Sequence, residues 1–173
     1  GDWKITNATF TARTSRLDAT NGTLTIDDAI LPGGPSFAAI EVHKLGTLTG
    51  TASLTTKLFS WDGGTIGGTG TLFSNTAVAQ LTGTDPLSLN RTWNINSGFN
   101  MTNTGGLTIG AGATMSNNAG NSTINTTMVA PIITGSGTFR TAHHLQPDPK
   151  GTIQIDPAVR DLDRPVIINT ARR

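Results

Sequence analysis

From Leu48 the even-numbered positions read Leu48, Gly50, Ala52 and Leu54, while the odd ones read Thr49, Thr51, Ser53 and Thr55. The two-residue period returns from Trp93, where Trp93, Ile95, Ser97, Phe99 and Met101 alternate with Asn94, Asn96, Gly98 and Asn100. It returns again from Leu107, with Leu107, Ile109, Ala111, Ala113 and Met115 against Thr108, Gly110, Gly112 and Thr114. Successive side chains of a strand point to opposite faces, so these runs predict strands with one apolar or small face and one Thr/Asn face. Helical spacing is missing: no window of about a dozen residues keeps apolar positions at i, i+3, i+4 and i+7, and Gly or Pro interrupts nearly every candidate. The chain is predicted to be all-β.

A repeat lies beneath the alternation. The pattern apolar-x-small-x-small-x-apolar occurs at Leu48–Leu54, Ile66–Leu72, Ile109–Met115 and Ile133–Phe139, with starts 18, 43 and 24 residues apart. Its eight end residues are the predicted coil core. The tripeptide Gly-Thr-Leu begins at Gly22, Gly46 and Gly70. Imperfect self-similarity at about 20 residues points to a solenoid whose repeat is one coil, and for strand-only repeats of that size the architecture is a single-stranded parallel β-helix. Residues 1–140 would then form about six or seven coils of ~20–24 residues each. A Thr-rich antiparallel sandwich shares the alternation but does not require pairs of small inward residues flanked by large ones. In "WDGGTIGGTGTLF" the inward anchors would be Ile66 and Leu72, with Gly68 and Gly70 between them where a Cβ has no room and opposite walls approach. Outward Thr and Asn would stack in rows and hydrogen-bond from coil to coil.

Two regions break the repeat. "ILPGGPSFAAIEV" (Ile30–Val42) carries Pro32, Gly33, Gly34 and Pro35 and reads as a loop excursion near 31–38. From 141 to 173 the composition shifts to Pro, Arg and Asp, which predicts an extended C-terminal tail with short strands at Thr152–Ile155 and Pro165–Asn169. Thr152, Ile153, Ile155, Val166, Ile167 and Ile168 are its candidate inter-subunit strand residues. The tail would cap its own solenoid, lie along its flank or pair with a neighbour.

Composition narrows the chemistry. Only 13% of residues are charged and the formal net charge is +1, against roughly 25% charged in an average domain. No basic stripe marks a nucleic-acid partner, and no apolar run approaches the ~18 residues of a membrane span. There is no Cys, hence no disulfide scaffold or thiolate metal site. The chain begins at Gly1 without Met or a leader pattern, as in a mature or excised segment.

His143 and His144 are adjacent and in a strand would face opposite ways, unable to share a metal easily. Asp161 and Asp163 lack the oxygens Ca²⁺ needs and sit between Arg160 and Arg164, so ion pairs are expected there. Asp27-Asp28 marks a turn. Between Leu48 and Phe139, where the repeat pattern occurs, Asp62 and Asp85 are the only carboxylates, whereas glycoside hydrolysis needs two facing one sugar. No catalytic residue, metal or cofactor is expected, and the chain is read as not an enzyme. Trp61 is the candidate glycan-stacking platform; Trp93 shares parity with Ile95 and Phe99 and should be core.

The run Trp61-Asp62-Gly63-Gly64-Thr65-Ile66-Gly67-Gly68-Thr69-Gly70-Thr71-Leu72 resembles a "W-x-G-G-T-I-x-G-x-G-T-L" repeat of large bacterial surface and secreted proteins, similar to autotransporter passengers and filamentous-haemagglutinin-type adhesins. "IITGSGTF" (Ile132–Phe139) and "GGLTIGAGATM" (Gly105–Met115) look like looser copies. The resemblance spans about 20–140 and implies a right-handed β-helix, at the cell surface or outside the cell. The members are usually far longer, so this chain would be a segment, or a subunit that gains length by assembly. A solenoid's two ends present unpaired strand edges, and head-to-tail stacking on them builds a filament. The expected function is therefore an extracellular structural subunit whose partner is itself. The alternative is an adhesin fragment binding glycans or a host surface, and third comes a polysaccharide-active enzyme.

Overall fold

The computed structural model describes residues 1–6, 15–27, 36–119, 122–124, 133–141 and 145–147. These residues form strands and no helix. In chain order the first coils hold β1 (Trp3–Thr6), β2 (Arg16–Thr20), β3 (Thr23–Asp27), β4 (Ser36–His43), β5 (Thr47–Thr49) and β6 (Leu54–Trp61). The middle coils follow with β7 (Gly64–Ile66), β8 (Leu72–Ser74), β9 (Ala79–Leu81), β10 (Leu87–Leu89), β11 (Thr92–Ile95) and β12 (Phe99–Met101). Last come β13 (Leu107–Ile109), β14 (Thr114–Asn117), β15 (Ser122–Ile124), β16 (Ile133–Gly135), β17 (Thr138–Thr141) and β18 (Leu145–Pro147).

The chain winds as a parallel β-solenoid of about five turns, fewer than the six or seven coils expected. Sheet A stacks β1-β3-β5-β7-β10-β13-β16, and sheet B holds the other eleven strands. Every neighbour in sheet A is parallel, and one apolar column runs down it from exposed Trp3 through Leu24, Leu48, Ile66, Leu89 and Ile109 to Gly135, with Leu87, Leu107 and Ile133 stacked in a second. Opposite it in sheet B stand Leu54, Leu72, Trp93, Met115 and Phe139. A third column is Val42, Trp61, Leu81, Met101 and Ile124. Leu48, Leu54, Ile66, Leu72, Ile109, Met115, Ile133 and Phe139 are all buried.

Sheet B bends. Along β6, Leu54 and Thr56 point inward, Lys57 and Leu58 outward, then Phe59 and Trp61 inward again, so the alternation slips phase at the bend. In the next coil that bend becomes a break, and β6 pairs with both β8 and β9. Leu54 pairs with Leu72, a step of 18, but Trp61 with Leu81, a step of 20. The two extra residues open the turn at Asn75–Val78.

Two expectations about register need correction. Gly22-Thr-Leu and Gly46-Thr-Leu are true equivalents, since Leu24 pairs with Leu48. Gly70-Thr-Leu is not, because Leu72 belongs to sheet B and pairs with Leu54. Likewise Ile133 stacks on Leu107, and it is Gly135 that stacks on Ile109, while Phe139 stacks on Met115 as the spacing suggests. The corner from Gly135 to Phe139 is two residues shorter than that from Ile109 to Met115, so equal repeat length hides an offset on one side. The loop excursion is also shorter than read: β4 begins at Ser36, and 31–35 lie outside the described residues. The tail strands at 152–155 and 165–169 lie outside them as well.

The corner glycines have a different cause from narrow walls. A Cβ on Gly70 would stand 2.2 Å from the Ala52 carbonyl oxygen, and one on Gly68 (φ +94°) would stand 2.0 Å from the Gly50 oxygen. Both clashes are with the coil stacked next along the axis. Glycine is needed because the turns nest backbone on backbone.

In the following coil the same corner is built by Arg91, 3% exposed. Its Nε donates to Gly70 O at 2.7 Å and its Nη2 to Ala52 O at 2.8 Å, while Nη1 is buried without a partner. One side chain thus satisfies the corner carbonyls of two earlier coils. Burial lowers its pKa to about 10, so it stays charged at neutral pH. Arg91→Met keeps the stem and removes the donors; since each buried carbonyl left unpaired costs about 1–3 kcal/mol, urea unfolding should show a loss of about 2 kcal/mol or more. A loss below about 0.5 kcal/mol, the scatter of ordinary surface changes, would mean that the corners do not need this side chain.

Candidate functional site

Most of the outer surface is a neutral ladder. On sheet A, Thr23, Thr47, Thr65, Ser88, Thr108 and Thr134 follow one another in register. At the break of sheet B, Asn96 Nδ2 donates to Asn75 Oδ1 at 2.8 Å and Asn118 Nδ2 donates to Asn96 Oδ1 at 3.0 Å. These rows have the coil-to-coil geometry expected of outward Thr and Asn. They offer hydroxyls and amides already bonded along the axis.

One patch is different in kind. On the far half of sheet B an outward column reads Asp18, Glu41, Ser60, Gln80, Asn100, Thr123. It is acidic only in its first two coils. Strand alternation puts His43 on the same face as Glu41, and register sets Asp18 beside Glu41. Asp62 follows Trp61, which pairs with Val42, so its side chain reaches His43 from the next coil.

The contacts are specific. His43 Nδ1 lies 2.9 Å from Asp62 Oδ2, and its Nε2 lies 3.4 Å from Glu41 Oε2. The Lys44 amide donates to Asp62 Oδ1 at 3.1 Å, fixing that carboxylate. The Arg16 guanidinium donates to Glu41 Oε2, and Thr20 Oγ1 donates to Asp18 Oδ1 at 2.7 Å. Ligating atoms of Asp18, Glu41 and His43 all lie within 4.8 Å of one another. The Arg16–Glu41 pair has a mostly exposed arginine, and exposed pairs contribute at most about 1 kcal/mol. It is a cheap contact to exchange.

Among the residues singled out from sequence, Asp62 enters this cluster and Asp85 does not. Asp27 lies elsewhere, where a hydrogen bond from Lys4 and one from the Thr51 amide hold its carboxyl below the usual range. Trp61 is corrected: it is fully buried and is no sugar platform. Its ring lies in an aromatic cluster with Phe59 and Trp93, at centroid distances of 6.4 and 6.1 Å. Its Nε1 donates to Gly63 O at 2.9 Å, which satisfies the polar edge inside the core. Trp93 is buried too, with Nε1 donating to Ser74 Oγ at 3.2 Å. Trp3 is the exposed tryptophan among the described residues. His143, His144, Asp161, Asp163 and the tail residues Thr152, Ile153, Ile155, Val166, Ile167 and Ile168 lie outside the described residues.

Sequence reasoning missed Asp18, Glu41 and His43. The signal was the i, i+2 pair in "EVH", which means little until register brings two other coils beside it. Comparison with protein-family models, with curated proteins and with solved structures found no match to this chain.

Burial opposes charge on His43, but its hydrogen bonds to Asp62 and Glu41 outweigh that and raise its pKa above the ordinary 6.5. The histidine therefore stabilises the fold fully below about pH 6.5, its unfolded value. That contribution is lost as pH rises through the higher folded value. In thermal melts across about pH 5.5 to 8.5, the difference in melting temperature between the native chain and His43→Gln should shrink as pH rises. A constant difference would show that the imidazolium is not held by its carboxylates.

Proposed function

We propose that this chain is an extracellular structural segment or subunit, a solenoid that lengthens into a surface fibre by end-to-end association. The observation that carries the reading is an apolar column that becomes exposed at the first described coil. The sheet A column passes from Leu48, 1% exposed, through partly buried Leu24 to Trp3, which is 73% exposed. Among the described residues, the apolar column thus becomes exposed towards its first coil.

Backbone edges accompany it. Among the described strands, β1 pairs only with β3 and β2 only with β4. Between them opens a cavity of about 520 Å³ lined in part by Trp3, Leu17, Ala19 and Leu24. An open strand edge beside exposed apolar surface is a template for another chain. At the opposite end β16, β17 and β18 are the last described strands. The two ends are unlike, so their union is heterologous and does not close, which propagates a filament.

The sequence resemblance supports a surface or extracellular location, and the neutral Thr/Asn exterior suits a structural role. The chain is read as non-catalytic: Glu41 and Asp62 contact Arg16 and His43, as in structural ion pairs. Sedimentation velocity and negative-stain microscopy over a wide concentration range should reveal linear species that grow with concentration. Trp3→Lys, at an exposed position, should shorten them while leaving the melting temperature nearly unchanged. Discrete monomers at every concentration would overturn the fibre.

A further inference from the structure

We propose that Asp18, Glu41 and His43 form a binding site for a divalent metal ion of the zinc type, with Asp62 as the outer partner that orients the histidine. The argument begins with the imidazole. Asp62 Oδ2 stands 2.9 Å from Nδ1 and accepts a hydrogen bond from its N–H, while Asp62 Oδ1 is tied to the Lys44 amide. That leaves Nε2 as the free lone pair in the neutral ring. A carboxylate on the far nitrogen of a ligating histidine is the usual support of a metal-bound imidazole, fixing both tautomer and ring plane.

Nε2 faces carboxylate oxygens. Two ligands about 2.0–2.1 Å from a tetrahedral zinc stand about 3.4 Å apart; Nε2 and Glu41 Oε2 are 3.4 Å apart. Asp18 supplies a third ligand atom within 4.8 Å of both, on a side chain exposed enough to close the remaining gap. Backbone register fixes all three, because Asp18 and Glu41 are paired across the ladder and His43 is two residues along the same strand face. One imidazole with two carboxylates is a borderline donor set that suits zinc better than Ca²⁺ or Mg²⁺, which prefer all-oxygen shells. Water would complete the coordination.

The cation now at Glu41 is Arg16, a side chain 62% exposed that can swing away. Binding therefore exchanges one surface ion pair for coordination, and forms or breaks no covalent bond. Ligands from β2 and β4 would tie together the first two coils of this column, with Asp62 adding a third.

Isothermal titration of the full chain with ZnCl₂ at about pH 8, since raising the pH favours the unprotonated ligands a metal needs, tests the site. The result expected is saturable one-to-one binding that raises the melting temperature. His43→Ala and Asp18→Asn should each abolish it, Asp62→Asn should weaken it roughly tenfold to a hundredfold, and Arg16→Ala should tighten it. The same titration on His143→Ala/His144→Ala should retain the binding. Absence of saturable binding overturns the proposal, as does binding that survives His43→Ala or vanishes in the His143/His144 variant. Should His43→Ala fail to fold, the ¹⁵N signals of the native chain decide: zinc must shift Nε2 of His43, and an unshifted signal rejects the site.

Discussion

A parallel ladder that closes on itself must keep one strand spacing, about 4.8 Å, at every point of the circuit, corners included. Along straight strands the pleat provides this. At the corners, where the chain turns from sheet A into sheet B, backbone carbonyls of successive coils lie almost in contact and no side chain fits between them. Gly70 over Ala52 and Gly68 over Gly50 meet the demand by having no Cβ. Arg91 meets it by a different route, reaching along the axis to bond the carbonyls that the nested corners leave without ladder partners. The apolar columns can stack only because these corners nest.

Corner length is therefore the variable, and column identity the constant. Steps down the sheet A column run from Leu48 to Ile66 and from Leu24 to Leu48, lengths of 18 and 24, yet every pair is in register. The surplus is absorbed where the chain bends, as at the split of sheet B after β6. A repeat counted along the chain then looks irregular, although the repeat counted along the axis is regular. This is also why the core columns carry unlike residues: Leu72, Trp93, Met115 and Phe139 share one column, since only volume summed over neighbours has to be kept.

The same distinction explains what could be read in advance. Leu48 over Ile66 and Leu54 over Leu72 were legible because both corners have the same length and the same small residues. The gap of 43 between Ile66 and Ile109 is two steps of the repeat, and the coil between them, centred on Leu89, shows no copy of the pattern because its corner is made by Asn90-Arg91 instead of a small pair. Gly70-Thr-Leu misled for the reason that tripeptide identity carries no information about which sheet it lies in. The cluster of Asp18, Glu41, His43 and Asp62 was illegible in principle from spacing alone, since its members come from three coils whose lengths differ.

Low charge follows from the fold too. In a solenoid each outward side chain has a neighbour of the same facing directly above and below it, so a charge repeated from coil to coil repels itself down the whole row. Thr, Ser and Asn avoid this and gain axial hydrogen bonds, as Asn75, Asn96 and Asn118 do. Among the described register pairs, Asp18 on Glu41 is the one place where acid stacks on acid. That pair is tolerated because Arg16 and His43 face it, and the histidine is held in turn by Asp62. Neutral residues resume at Ser60 and Gln80 in the very next coils. Among the described residues, this column thus gathers its charge in the first two coils, each acid facing a compensating cation. Along this column the first two coils are acidic and the later described ones neutral, so the axis has a chemical direction.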